Sequence, residues 1–95
     1  MKLLDNKVAI VTGAARGIGE GIAIKLAEQG AHIAFTYVSE GSAPKAAALE
    51  EKLKSMGVNA KAYRSNAANF EECEIFVNDV LKTFGSIDIC VNNAG

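Results

Sequence analysis

Glycines 13, 17 and 19 follow directly on the apolar run Val8-Ala9-Ile10-Val11 and open a segment of helical pattern. A buried strand, a glycine turn and a helix, in that order, can bind the pyrophosphate of a dinucleotide. The strand delivers the chain to the carboxyl edge of a sheet, and glycines let the backbone turn sharply and approach phosphate closely. The helix start then offers unpaired N–H groups at the positive end of its dipole. The spacing here is Thr12-Gly13-x-x-x-Gly17-x-Gly19, not the commoner G-x-G-x-x-G. Read alone, the turn has a plain alternative, a tight strand-to-helix connection with no ligand. A second small-residue segment, Asn92-Asn93-Ala94-Gly95, follows another apolar strand-like run far downstream.

These segments are positioned by elements that alternate strictly. Strands are expected over 7–12, 32–37, 59–64 and 87–92. The first helix is expected over 18–29, with Ile18, Ile22 and Leu26 beside Ala23 and Ala27 on one face and Gly30 as its terminator. After a polar loop at Ser39-Glu40-Gly41, Ser42 is the expected N-cap of a second helix with Pro44 in its first turn. Ala46, Leu49, Leu53 and Met56 mark its inner face, and Gly57 closes it. Asn69 and Glu72 have capping-box spacing ahead of a third helix lined by Cys73, Val77, Val80, Leu81 and Phe84, ending at Gly85. The βαβαβαβ order calls for an α/β fold with a parallel, Rossmann-like sheet of strand order 3-2-1-4, the first half of a doubly wound fold. Two helices cover one face and the third crosses to the other. The glycine turn and Asn92-Asn93-Ala94-Gly95 then meet at one crevice, where the strand order reverses.

Composition narrows the function classes. Of 95 residues 49% are hydrophobic and 22% charged, with a net charge of −1, so the chain reads as globular and carries no electrostatic footprint for nucleic acid or an anionic membrane. No apolar stretch approaches the roughly 18 residues that span a bilayer, and Lys2 and Asp5 come too early for a signal peptide. Cys73 and Cys90 have neither disulfide-framework nor metal-ligand spacing and are expected as buried, reduced core residues in a cytoplasmic protein. His32, the single histidine, falls at a strand start, far from the crevice.

The glycine turn and Asn92-Asn93-Ala94-Gly95 together resemble the short-chain dehydrogenase/reductase family. The wording of Val11 through Gly19 and of Phe84-Gly85-x-Ile87-Asp88-Ile89-Cys90-Val91-Asn92-Asn93-Ala94-Gly95 is most similar to the 3-oxoacyl-(acyl-carrier-protein) reductases. That resemblance implies a cofactor site of Thr12, Gly13, Arg16, Gly17, Ile18, Gly19, Tyr37, Ser39, Asn66, Ala67, Asn93, Ala94 and Gly95. Thr12 would tie the turn to the Asn-Asn-Ala-Gly segment, or serve only as a β-branched strand end. Asn66 and Ala67 occupy the adenine position, where a lone asparagine is alternatively a turn former. It further implies an acyl-carrier-protein-linked substrate and a homotetrameric intact enzyme.

Charge at the end of the second strand bears on which dinucleotide fits. NAD sites place an acid there, about 20 residues past the glycine turn, for the ribose 2′-hydroxyl. Here the strand ends Phe35-Thr36-Tyr37-Val38-Ser39, with no acid until Glu40. Arg16 could pair with a 2′-phosphate, its alternative being a solvated loop cation. NADP(H) is therefore expected over NAD(H).

The family's catalytic Ser and Tyr-x-x-x-Lys lie past its Asn-Asn-Ala-Gly segment. Neither Tyr37 nor Tyr63 has a lysine four residues on; Gly41 and Ala67 stand there. No residue of this chain takes a catalytic role, and no metal site is expected. Residues 1–95 are thus expected to be the dinucleotide-binding portion of a single larger domain, inactive by itself. Its fourth strand would be an apolar edge prone to pairing. A non-catalytic dinucleotide-binding module is the alternative from another class, and a short-chain dehydrogenase for a different alcohol or ketone is a third.

Overall fold

The computed structural model describes residues 2–15, 17–66 and 68–93. Strands β1 (Val8–Thr12), β2 (His32–Tyr37), β3 (Ala60–Arg64) and β4 (Ile89–Asn92) form one sheet in the order β3-β2-β1-β4. Every pairing is parallel, with Val11 beside Phe35 and Val91, and Tyr37 beside Arg64. Helices α1 (Gly17–Glu28), α2 (Ala43–Ser55) and α3 (Phe70–Phe84) supply the crossovers.

Alternation along the strands divides the core in two. Ala9, Val11, Ile33 and Phe35 face α1 and α2, meeting Ala23, Ala27, Leu49 and Leu53. Val8, Ile10 and Ala34 face α3, meeting Phe76 and Val80. The sequence expectation of two helices on one face and one on the other therefore holds, as does the strand order.

Where the helices meet the sheet, Ala23, Ala27, Ala46, Leu49, Leu53 and Val80 are buried as expected, and Ile18 and Leu81 are the departures. Ile18 is 77% exposed, while Gly19, Ala23 and Ala27 form the buried stripe of α1. Small side chains at these positions let the helix lie close to the sheet, with Ile22, Ile24 and Leu26 packing partly buried at the sides of the stripe. In α3 the core positions are Phe76 and Val80, and Leu81 faces largely outward. Cys73 is only half-buried and Cys90 is exposed, which corrects the expectation that both lie in the core. Cys90 is on β4, an edge strand of the sheet, and its side chain is not among those packed against α3. The two cysteines form no disulfide.

Helix ends show how local chemistry sets the crossovers. Gly30 N–H donates to Ala27 and Ala31 N–H to Leu26, a Schellman arrangement that stops α1. Ser42 does not cap α2 with its side chain. A 3-10 turn over Glu40–Ser42 runs straight into the helix, and the Ser42 hydroxyl pairs with that of Ser39 at 3.0 Å. Asn69 does cap α3, its Oδ1 accepting from Glu72 N–H at 3.0 Å. The capping box is not reciprocal, because Asn69 N–H already donates to Asn66; the Glu72 carboxylate instead takes the N–H of Asn66.

Candidate dinucleotide site

The strand ends of β1, β2 and β4 converge on the glycine turn. Gly13 has φ 68°, a conformation that costs other residues about 1–2 kcal/mol. Its N–H donates to Thr36 Oγ1 at 3.1 Å, and Ala14 N–H donates to the Thr36 carbonyl at 3.1 Å. Thr36 is buried within β2. The sequence reading missed it; its only signal was a polar β-branched residue between Phe35 and Tyr37 at the strand end. It fixes where the turn leaves the sheet.

Thr12 performs the tie that the resemblance implied. Its Oγ1 accepts Asn93 N–H at 3.0 Å and lies 3.2 Å from Asn92 Oδ1. Asn93 Nδ2 reaches back to the Gly13 carbonyl at 3.3 Å. Gly19 completes the clasp by having no side chain. A Cβ there would stand 2.5 Å from the Gly13 carbonyl oxygen and 2.6 Å from Asn93 Nδ2. The helix start is thus held against the turn and the end of β4 together. The β4 register is pinned at its other end by Asp88, whose carboxylate accepts Val8 N–H at 2.9 Å while Asp88 N–H donates to Val8. The Val8 N–H, then the Ser86 hydroxyl and the Lys7 charge, hold the Asp88 carboxyl below its ordinary range.

Beside the turn is an open cleft of about 280 Å³ lined by Gly13, Ala15, Tyr37, Val38, Ser39 and Ser42. Its lining holds three hydroxyl-bearing residues, Tyr37, Ser39 and Ser42, and no carboxylate. Glu40 stands outside it, 88% exposed and 3.9 Å from Arg64. Gly17 and Ile18 begin α1 at the same edge, both exposed, and a Cβ on Gly17 would meet nothing within 4 Å. The first N–H groups of a helix have no intrahelical acceptor, so this edge presents donors to open space. Arg16, Ala67, Ala94 and Gly95 lie outside the described residues. Asn66 sits apart from the cleft lining and acts as a turn former, its Oδ1 accepting Ala68 N–H at 2.9 Å.

A larger cavity, about 490 Å³, lies on the opposite face between β3 and α3. Its polar groups satisfy one another: the Tyr63 hydroxyl and Lys61 Nζ both donate to Asp79. The Tyr63 phenol, then the Lys61 ammonium, hold Asp79 below the usual carboxylate range, and burial followed by Asp79 pushes the phenol up. This arrangement joins two elements and offers nothing to a dinucleotide that the glycine turn does not offer better. Among the described residues, no group of three or more His, Cys, Asp or Glu comes together to hold a metal, and no helix is long and apolar enough to cross a membrane.

The family model for short chain dehydrogenases matches residues 7–95. The chain belongs to the short-chain dehydrogenase family. A 3-oxoacyl-(acyl-carrier-protein) reductase FabG of Staphylococcus epidermidis is 47% identical over 90 residues, covering 95% of this chain and 36% of that protein. An NADP-dependent mannitol dehydrogenase of Aureobasidium melanogenum is also 47% identical, over 103 residues, 99% of this chain and 38% of that protein. Among solved structures, a blue fluorescent protein from a metagenomic library in complex with NADPH matches with a TM-score of 0.94 and 43% identity, over 97% of this chain and 37% of its own. This short-chain dehydrogenase segment therefore spans little more than a third of the length of the relatives it matches.

The residues present fit a nicotinamide dinucleotide. Gly13 with its positive φ, the open space at Gly17 and the carboxylate-free cleft beside Gly13 are what a close backbone approach to a dinucleotide phosphate requires.

Proposed function

We propose that this chain is the NADP(H)-binding portion of a larger short-chain reductase domain whose intact form reduces the ketone of a 3-oxoacyl thioester carried on acyl-carrier-protein. The observation that carries the cofactor choice is the cleft between Gly13 and Ser39, which has hydroxyls and no acid where a 2′-phosphate would lie. The similarity to a reductase of that substrate class supports the reaction.

When bound, NADPH supplies the hydride that converts the ketone to a 3-hydroxyacyl product. The chain's own residues bind and orient. N–H groups at the start of α1 face the pyrophosphate, each contact favoured by the helix dipole by about 0.3–1 kcal/mol. Thr12 and Asn93 hold the end of β4 against the turn, so the segment after β4 is delivered to the nicotinamide side. Asn66 Nδ2 is the adenine contact in this reading, its Oδ1 being engaged in the turn. The general acid toward the ketone belongs to the Ser and Tyr-x-x-x-Lys group that the resemblance puts past residue 95.

The equal identity to a mannitol dehydrogenase favours a second reading, a short-chain dehydrogenase acting on a sugar ketone. Loss of NADPH absorbance in the intact protein separates the two. Turnover of a 3-oxoacyl thioester with little turnover of fructose supports the first reading; the reverse order replaces it with the second.

A further inference from the structure

Arg64 ends β3 in register with Tyr37, which ends β2. Its side chain does not run free into solvent. Nε donates to the Val38 carbonyl at 3.1 Å, and Nη1 lies 3.9 Å from Glu40 Oε1. Val38 lines the cleft beside Gly13 and Ser39, so the guanidinium is fastened to the backbone of the cleft's own wall. Glu40 is the first acid after β2, and a carboxylate at this strand end suits a ribose 2′-hydroxyl and opposes a 2′-phosphate. The chain thus carries an acid close to the discriminating position together with a cation set against it.

We propose that Arg64 is a specificity-determining residue for the dinucleotide: it offsets the Glu40 carboxylate at the mouth of the cleft and so keeps that mouth open to a 2′-phosphate. The proposal rests on the NADP(H) reading above and assigns its selectivity to a residue of β3, outside the glycine turn and outside the loop after β2. Arg64 acts through charge. The hydrogen bond to Val38 fixes where that charge sits, and Glu40 is what it acts against. Without Arg64, Glu40 is an uncompensated anion one residue beyond Ser39, repelling the phosphorylated ribose and available to the unphosphorylated one.

The test is the ratio of NADH to NADPH dissociation constants, measured by calorimetry on the intact protein and its Arg64→Gln, Arg64→Lys, Glu40→Gln and Arg64→Gln/Glu40→Gln variants. Exposed ion pairs are weak, so Arg64→Gln lowers the ratio about three- to fivefold. Arg64→Lys keeps most of it, and Glu40→Gln raises it. In the double variant the ratio returns to the wild-type value or above, because nothing remains to be offset; this recovery also shows that the Arg64→Gln site is folded. A ratio unchanged by Arg64→Gln, or equally low in the double variant, overturns the proposal. A wild-type protein that binds NADH as tightly as NADPH instead overturns the NADP(H) reading, and the two failures are read from different proteins.

Discussion

Thr12 Oγ1 accepts the backbone N–H of Asn93 at 3.0 Å, joining residues 81 positions apart. The bond fastens the end of β4 to the start of the glycine turn, and it explains why a hydroxyl precedes Gly13. Thr12→Val keeps the shape and removes the acceptor, so unfolding free energy should fall by about 1 kcal/mol, as for a typical intramolecular hydrogen bond. A urea midpoint checks this, and Thr12→Ser should restore most of the loss. A Val variant as stable as the parent would mean that water replaces the contact.

Thr36 holds the other side of the same turn. Thr36→Val leaves the part-buried Gly13 N–H without its acceptor, a loss of about 1 kcal/mol. The same change should weaken dinucleotide binding, because the turn is then no longer fixed to β2. Urea denaturation and NADPH titration of one variant read both effects, and a change in stability alone would separate Thr36 from the site.

Gly19→Ala sets two known tendencies against each other. Alanine is favoured over glycine inside a helix by about 1 kcal/mol. Its Cβ, however, would meet backbone and Asn93 at 2.5–2.6 Å, and overpacking of this kind costs about 1–3 kcal/mol. Net destabilisation is expected, with exchange of the Asn93 amide quickened as α1 is pushed off the clasp. Gly21→Ala, where nothing lies within 4 Å, should be neutral or stabilising and serves as the control.

Acid should weaken the fold partly through Asp88. Its carboxyl is held below the ordinary value by the Val8 N–H first, with Ser86 and Lys7 assisting. A depressed folded-state value gives stability that is present above the unfolded value of about 4 and lost as pH falls through the folded one. Asp88→Asn should therefore be less stable than the parent at neutral pH, and the difference should narrow below about pH 4. Denaturation midpoints taken from acid to neutral pH check the trend; a constant difference would remove Asp88 from the account.

Much of this architecture was legible because its signals are local. Apolar runs at 8–11, 33–35 and 89–91, glycines at 30, 57 and 85, and the alternation of patterns made the elements and their order readable. The convergence of the Thr12–Gly19 turn with Asn93 followed from topology. The parts that were not legible depend on distance across the fold. Hydropathy put Ile18 on the inner face of α1 beside Ala23 and Ala27; the two alanines are buried there, but close packing at the start of the helix selects for size, and Gly19 is buried where Ile18 is exposed. Thr36 looked like any strand threonine until Gly13 lay beside it. Arg64 and Glu40, on different elements, carry no mutual spacing that a sequence could show.

In the proposed reading the edge from Gly13 to Ser39 receives the dinucleotide, and the larger cavity between β3 and α3 does not. Amide hydrogen exchange of the intact protein with and without NADPH measures this directly. Slowed exchange is predicted over residues 13–20 and 37–42, with α3 residues 76–83 unchanged. Protection confined to α3, or no protection at the glycine turn when NADPH is bound, would contradict the account.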